Sequence, residues 1–534
     1  MRDMVQVRRG RRHGYGGPDI RIGRSQFNRS HGVKTTFDAS RLVPILVDEV
    51  MPGDTFTCKV HGFARVFSPL DAPIMDNISI ETFFFFVPTR LVWTNWVAFQ
   101  GEHDDAGAQD TTYTIPRLSD GTTPVVAGSL ANYMGVPIGT DFSLTVVSAL
   151  PFRCYRLIYN EWFRDQNLID ESTVDKSDSN DAATYGSGWL FKSAKRHDYF
   201  TSCLPYLQKG TAQTVALTGA AEVYTKAGVT TSTDIAVRSD QYSGLRELDA
   251  SVSRLRLSTD VGTTDEQLFA DLTDGTLDVN ALRLSTAIQR LLERDARGGT
   301  RYTEKIKAQF GVTNPDFRLQ RPEFLGGGKS WINIDPVANT SSIDSAASPE
   351  GADVFQGELR GVGTGRLSGH GWAKSFTEHG YIIGLMRARA DVTYFQGLDR
   401  LWSRDTLYDF YVPALAHLGE QAVLNKEIYV SNASATDDAV FGYQERWAEY
   451  RTKHSLVTGK FSPDATGALS HWHLAEDFAS LPTLNQTFIE DQTPMSRVTT
   501  IDSEPDFMAD IWFDYRCARP MPVRSIPSLM AGRF

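Results

Sequence analysis

Cysteine is scarce in this chain: four in 534 residues (Cys58, Cys154, Cys203 and Cys517), scattered and without a CxxC spacing. That excludes a disulfide framework or a thiolate zinc site, and reads as reduced packing residues of a protein made in a cytoplasm. Long apolar runs are also missing. No stretch of about 18 apolar residues occurs, so no membrane insertion is expected. The N-terminal region has no apolar segment of the kind a secretory signal needs. Strong catalytic spacings are absent, with no HExxH and no GxSxG elbow. Basic residues are in deficit: Lys+Arg 54 against Asp+Glu 65 gives a net charge of −11. That balance argues against nucleic-acid binding only if the charge is evenly spread.

It is not. Residues 1–34 hold Arg2, Arg8, Arg9, Arg11, Arg12, Arg21, Arg24, Arg29 and Lys34 against Asp3 and Asp19, nine less two, or +7, which leaves −18 on residues 35–534. Gly14, Gly16, Gly17 and Pro18 oppose a helix there, so residues 1–34 read as a flexible basic arm before an acidic body. Arg8, Arg9, Arg11, Arg12, Arg21, Arg24, Arg29 and Lys34 are the candidate nucleic-acid contacts, because guanidinium pairs bidentately with phosphate. A solvated tail, or an arm docked on an acidic neighbouring subunit, is the competing reading.

What the chain has in quantity is aromatic side chains, 11% of residues, which need cores or interfaces to fill. Phe56, Cys58 and Val60 alternate with polar residues as in a half-buried strand. Ile78 to Val87 starts alternating and then runs apolar on both faces through Phe83, Phe84, Phe85 and Phe86, ending at Pro88. That strand is sandwiched in the core or meets another subunit, and Trp93 and Trp96 come after it as further core or interface candidates. Helices are expected over 151–164, with Pro151 in the first turn, and over 278–296. Strands resume at Gly380 and at 506–516, with Arg387 and Arg389 placed where the first of these should leave the core. Tracts 104–130, 170–189, 211–276 and 335–370 are polar and read as surface excursions.

The remaining motifs are weak. Gly326-Gly327-Gly328-Lys329-Ser330 lacks the first Gly of a phosphate loop, with Glu323 in its place, and reads as a turn. Gly361, Gly363 and Gly365 end at Arg366 where a dinucleotide turn needs a third Gly, and read as loop. His471 and His473 are too few ligands for a metal site, so no cofactor or metal is expected.

Specific blocks of sequence carry more. Arg29 to Asp38, Val47 to Phe56, Met75 to Asn77, Thr82 to Trp93, Tyr199 to Pro205, Leu291 to Tyr302, Arg318 to Gly328, Glu378 to Gly384, Pro413 to Gln421 and Arg516 to Pro522 run in order along the chain. Together they resemble the major capsid protein of the Microviridae, in its gokushovirus branch. The resemblance implies a mainly β fold, a single eight-stranded antiparallel jelly roll over residues 35–534 with very large loop insertions. It implies no enzyme, but a structural protein whose sixty copies, by way of pentamers, form a T=1 shell around circular single-stranded DNA. The partners implied are other copies of the chain, the packaged DNA, minor virion proteins, an internal scaffolding protein and a host surface receptor. The insertion at 211–280 is the candidate protrusion for host attachment. The location implied is the virion, with assembly in the host bacterial cytoplasm. Sixty arms of +7 amount to roughly 420 charges against several thousand phosphates, so the arms tether DNA without neutralising it. The competing class is a glycan-binding β-sandwich or an enzyme on the same fold, since a jelly roll alone fixes no function.

Overall fold

A computed structural model describes residues 23–100, 113–119, 124–182, 190–211, 279–298, 320–341, 356–501 and 503–524, with the strands 222–225 and 268–271 and residues 304, 307 and 308. The chain divides into two compact units, Met1–Pro205 with Pro315–Phe534, and Tyr206–Asn314.

The first unit is built on nine strands: β1 Ser25–Asn28, β2 His31–Phe37, β3 Val43–Val50, β4 Thr55–Val66, β5 Ile78–Pro88, β6 Glu323–Ala338, β7 Leu359–Ser375, β8 Gly380–Ala390 and β9 Phe507–Arg519. They form one antiparallel sheet in the order β1-β9-β4-β7-β6-β5-β8-β3, with β2 also on β9. Strands consecutive in sequence (β3 and β4, β4 and β5, β7 and β8) are not neighbours, so the chain repeatedly crosses the core, as in jelly-roll connectivity. The sheet curls until its halves face each other: Phe84 on β5 lies 6.4 Å from Phe513 on β9, though these strands are four places apart. The mainly β, antiparallel jelly-roll class expected from the sequence is therefore the class observed. Among the described residues the sheet counts nine strands, β1 and β2 included, where the sequence led to an expectation of eight.

The phenylalanine run shows why both faces of β5 are apolar. Phe84 and Phe86 point into the curled sheet, against Trp372 and Phe376. Phe83 and Phe85 point the other way, against Phe163 and Trp162. Those two rings come after helix α1, Leu150–Ile158, which continues as a wider turn through Tyr159–Phe163. Tyr155 of α1 donates to the carbonyl of Leu42 at 2.8 Å and pins the helix beside β3. Trp93 is fully buried and Trp96 half-buried beside it.

Three sequence readings need correction. Gly326–Gly328 is no turn but part of β6, because the strands approach too closely there for a side chain. A Cβ on Gly327 would lie 2.1 Å from the carbonyl oxygen of Thr82, and one on Gly328 would lie 2.5 Å from the His370 ring. Gly361, Gly363 and Gly365 lie in β7, not in a loop. They occupy its buried positions, where Leu70, Val66 and Ile332 fill the space, so the strand shows no apolar alternation in sequence. Arg387 and Arg389 do not leave the core. They are buried beside Glu81 of β5, which supplies the counter-charge.

The second unit contains helix α2, Val279–Arg297, where the sequence predicts a helix, and Gly298 donates to the Arg294 carbonyl at its end. Strands Glu222–Thr225 and Leu268–Asp271 pair antiparallel. The candidate protrusion 211–280 otherwise lies outside the described residues.

Candidate assembly surfaces

Four features bear on function: the point where the basic arm joins the sheet, an ion cluster under β5, an exposed aromatic segment, and one open face of the sheet.

Arg8, Arg9, Arg11, Arg12 and Arg21 lie outside the described residues. Arg24, Arg29 and Lys34 do not share one role. Arg24 reaches the Thr55 hydroxyl and the Ala518 carbonyl. Arg29, between β1 and β2, forms a bidentate pair with Asp48 of β3, and Tyr515 of β9 donates to the same carboxylate at 2.9 Å. This joins opposite ends of the strand order and closes the curl. Burial alone would lower the Arg29 pKa, but the hydrogen bond and charge of Asp48 override it and raise the value. Lys34 is exposed, 3.7 Å from Asp510. Residues 25–34, read from sequence as arm, thus include paired strand. Gly32 and the alternation of His31, Val33 and Thr35 make the segment look irregular when β9, nearly five hundred residues away, is not in view.

The second feature holds the middle of the sheet. Glu81 accepts from Arg387 at 2.7 and 2.9 Å and from Arg196 at 2.6 Å, and lies 3.3 Å from Arg389. Burial would raise its carboxyl pKa, but Arg387 and Arg389, with hydrogen bonds from Arg387 and Arg196, hold it down at about 2. Arg389 moves down to about 10, chiefly from burial and then from Arg387 beside it. The Arg387 guanidinium also lies over the rings of Phe83 and Phe163. Charge neutralisation inside an aromatic shell makes this a structural cluster. His370 adds a neutral cross-link, bonded to Thr82 on β5 at 2.7 Å and Ser330 on β6 at 2.9 Å, with its pKa lowered by burial.

The third feature is not legible in the sequence, because its residues keep to no helix or strand period. Between Leu401 and Tyr411, the side chains of Trp402, Leu407, Tyr408, Phe410 and Tyr411 are exposed, Trp402 and Leu407 each by 73%. The backbone carrying them is nonetheless fixed. Asp399 caps Leu401, Asp409 accepts from both the N–H and the hydroxyl of Thr406, and Arg400 donates to Ala422. Arg446 donates to the Tyr408 carbonyl, Trp447 donates to the Leu415 carbonyl, and Arg404 sits over Phe410 and Tyr450. A rigid presentation of apolar side chains to solvent is a mark of a protein–protein surface.

The fourth feature is the side of β2, β9, β4 and β7 facing away from the core, where Phe63 and Trp512 stand exposed. Among the described residues, no group of three or more His, Cys, Asp or Glu side chains is placed to hold a metal ion. His473 is committed to the Phe461 carbonyl and the Ala475 N–H. All four cysteines are buried and none is in a disulfide, and no described helix is long and apolar enough to cross a membrane.

Comparison with known proteins gives these surfaces a setting. Residues 18–529 match the family model described as capsid protein (F protein). The chain is 40% identical to capsid protein VP1 of Chlamydia phage 1, over 96% of each chain. It is 42% identical to capsid protein VP1 of Bdellovibrio phage phiMH2K over 97% of each, and 33% identical to that of Spiroplasma virus 4 over 95% of this chain and 96% of the relative. The chain therefore belongs to the capsid protein (F protein) family of small bacteriophages, as a structural protein of the virion that acts by associating with copies of itself and not by catalysis.

Proposed function

We propose that sixty copies of this chain, assembling by way of pentamers in the host bacterial cytoplasm, close into a T=1 shell around circular single-stranded DNA. The ordered gokushovirus-like blocks support the geometry, and the basic arm supports an inward-facing tether to DNA. Arg8, Arg9, Arg11, Arg12 and Arg21 are the arm's phosphate contacts in this reading. Arg29 instead closes the sheet, so the arm proper ends before Arg24. Cations, polyamines or a small basic protein supply the charge that the arms lack. The 211–280 insertion meets the host receptor.

The observation that carries self-association is the rigid, exposed segment around Trp402 and Leu407. Burying such side chains between copies contributes roughly 1.5–3 kcal/mol each, repeated at every contact in the shell. The double variant Trp402→Ala/Leu407→Ala should keep the wild-type circular dichroism spectrum and lose uniform shells in sedimentation and negative-stain microscopy. Normal shells from that variant would remove the segment from the interface.

A further inference from the structure

The open face of β2, β9, β4 and β7 is unlike the acidic body that carries it. Strand alternation sends Lys34, Lys59, His61, Phe63, Arg65, Arg366, Trp512 and Arg516 to this side, with Asp510 and Asp514 as its acids. Lys34 is 3.7 Å from Asp510 and Arg516 is 3.3 Å from Asp514. Lys59, Arg65 and Arg366 form no ion pair with a described residue. Two large rings stand among these cations. Trp512 is 52% exposed and Phe63 50%. Register places Trp512 opposite both Gly32 and His61, and Asp510 opposite both Lys34 and Phe63, so the two rings are diagonal neighbours on adjacent strands. Arg366 is directly opposite Phe63 on the other side.

Gly32 decides how the tryptophan lies. A Cβ there would be 3.3 Å from the Trp512 ring, so the indole lies against β2 at Gly32, with about half of the residue exposed. A groove of about 590 Å³ runs beside Phe63, lined among others by Lys34, Arg65, Tyr133 and Asp510. Cations without a carboxylate partner, set beside exposed aromatic rings, are the components of single-strand recognition, in which phosphates find the cations and bases stack on the rings without regard to sequence. The same face lies next to β1, from which the basic arm departs.

We infer that this sheet face is a sequence-tolerant single-stranded DNA-binding platform, with Trp512 and Phe63 stacking bases and Lys59, Arg65 and Arg366 holding phosphates. The inference rests on the proposed enclosure of single-stranded DNA. It adds that the wall of the domain, and not only the arm, grips the strand.

The test uses the full-length protein before assembly, titrated with a fluorescein-labelled twenty-nucleotide oligothymidylate across a salt series. Phe63→Ala/Trp512→Ala should weaken binding roughly tenfold or more while leaving the salt dependence unchanged. Lys59→Ala/Arg65→Ala/Arg366→Ala should flatten the slope of log affinity against log salt by about 2, three contacts at about 0.7 each. Deleting residues 1–22 should flatten it further and leave residual binding that still responds to the ring substitutions. Should the ring variant prove unfolded by circular dichroism, Trp512→Phe with Arg366→Glu asks the same question at exposed positions. Wild-type affinity in both folded sets, or loss of shells with unchanged oligonucleotide affinity, overturns the platform and assigns the face to contacts between copies. Nuclease-protected DNA in wild-type particles is measured alongside. Its absence defeats the enclosure reading, whereas its presence with unaffected face variants defeats only the platform.

Discussion

Replacing Glu81 with Gln preserves shape and removes one charge. Arg387 and Arg389 would remain buried without their hydrogen-bonded carboxylate, with the charge of the buried Asp491 as partial compensation, while Arg196 keeps Asp391 at 2.6 Å. Stranding buried charge in this way costs about 3–5 kcal/mol. The carboxyl gives an independent figure. Its pKa falls from 4.5 in the unfolded chain to about 2 in the fold, a difference equivalent to about 3 kcal/mol, or nearer 2 after allowing for residual solvent screening. The folded value is the lower one, so this stability is complete above pH 4.5 and is lost as pH falls toward 2. His370, its pKa lowered by burial, also costs stability as pH falls below 6.5, but it does so in wild type and variant alike, so the difference between them isolates Glu81. Urea unfolding of the unassembled protein from pH 7 to pH 2.5 makes the comparison. The wild type should weaken steadily below pH 4.5; Glu81→Gln should start about 2–4 kcal/mol lower and lack that part of the acid dependence. A variant within about 1 kcal/mol of wild type at pH 7, or one keeping the full acid dependence, would refute the assignment of Glu81 as the sheet's internal counter-charge.

Other outcomes rest on particular contacts. Gly327→Ala should yield insoluble or unfolded chain on expression, since its Cβ would lie 2.1 Å from the Thr82 oxygen, whereas Gly128→Ala, a positive-φ turn position with open space around it, should cost only about 1 kcal/mol by thermal unfolding. Cys58 and Cys517, their thiols pushed up to about 12 and about 11 chiefly by burial, should resist iodoacetamide at pH 8 in the native protein, and all four cysteines should label in denaturant. Removing residues 1–22 should leave thermal stability within about 0.5 kcal/mol and lower packaged DNA. Extending the deletion through Arg29 should destabilise the fold by about 2–3 kcal/mol, because it removes β1 and the partner of Asp48. Equal stability of the two truncations in a melting experiment would contradict the closing role of Arg29.

The strands that the sequence announces are those whose buried side is apolar and whose open side is polar. β4 reads plainly through Phe56, Cys58 and Val60, and β5 through its phenylalanines. β7 is illegible because glycines occupy its inward positions, where Leu70, Val66 and Ile332 already fill the space. β2 reads as arm because its partner comes from the far end of the chain. Arg387 and Arg389 look like surface residues because a counter-charge three hundred positions away cannot be seen in a local window. Function divides the same way. The long ordered blocks point to a capsid, but they mark neither the Trp402 segment nor the Phe63–Trp512 face. Both depend on which side of a folded backbone a residue ends up on.

The place of β9 has a consequence in time. This strand, Phe507–Arg519, lies between β4 on one side and β1 and β2 on the other, so a strand made more than four hundred residues after β4 is an inner member of the sheet. At ribosomal speeds of about 5–20 residues per second, it emerges roughly 25–90 seconds after β4. Until then β4 has an unpaired edge, and β1 and β2 have nothing to join. The Arg29–Asp48 clasp, which includes Tyr515 of β9, is likewise incomplete. A nascent chain therefore carries the arm and the aromatic segment without the closed sheet that orders the arm's root. Synthesis of β9 becomes the event that closes the sheet. The sheet withholds its finished shape until β9 is in place.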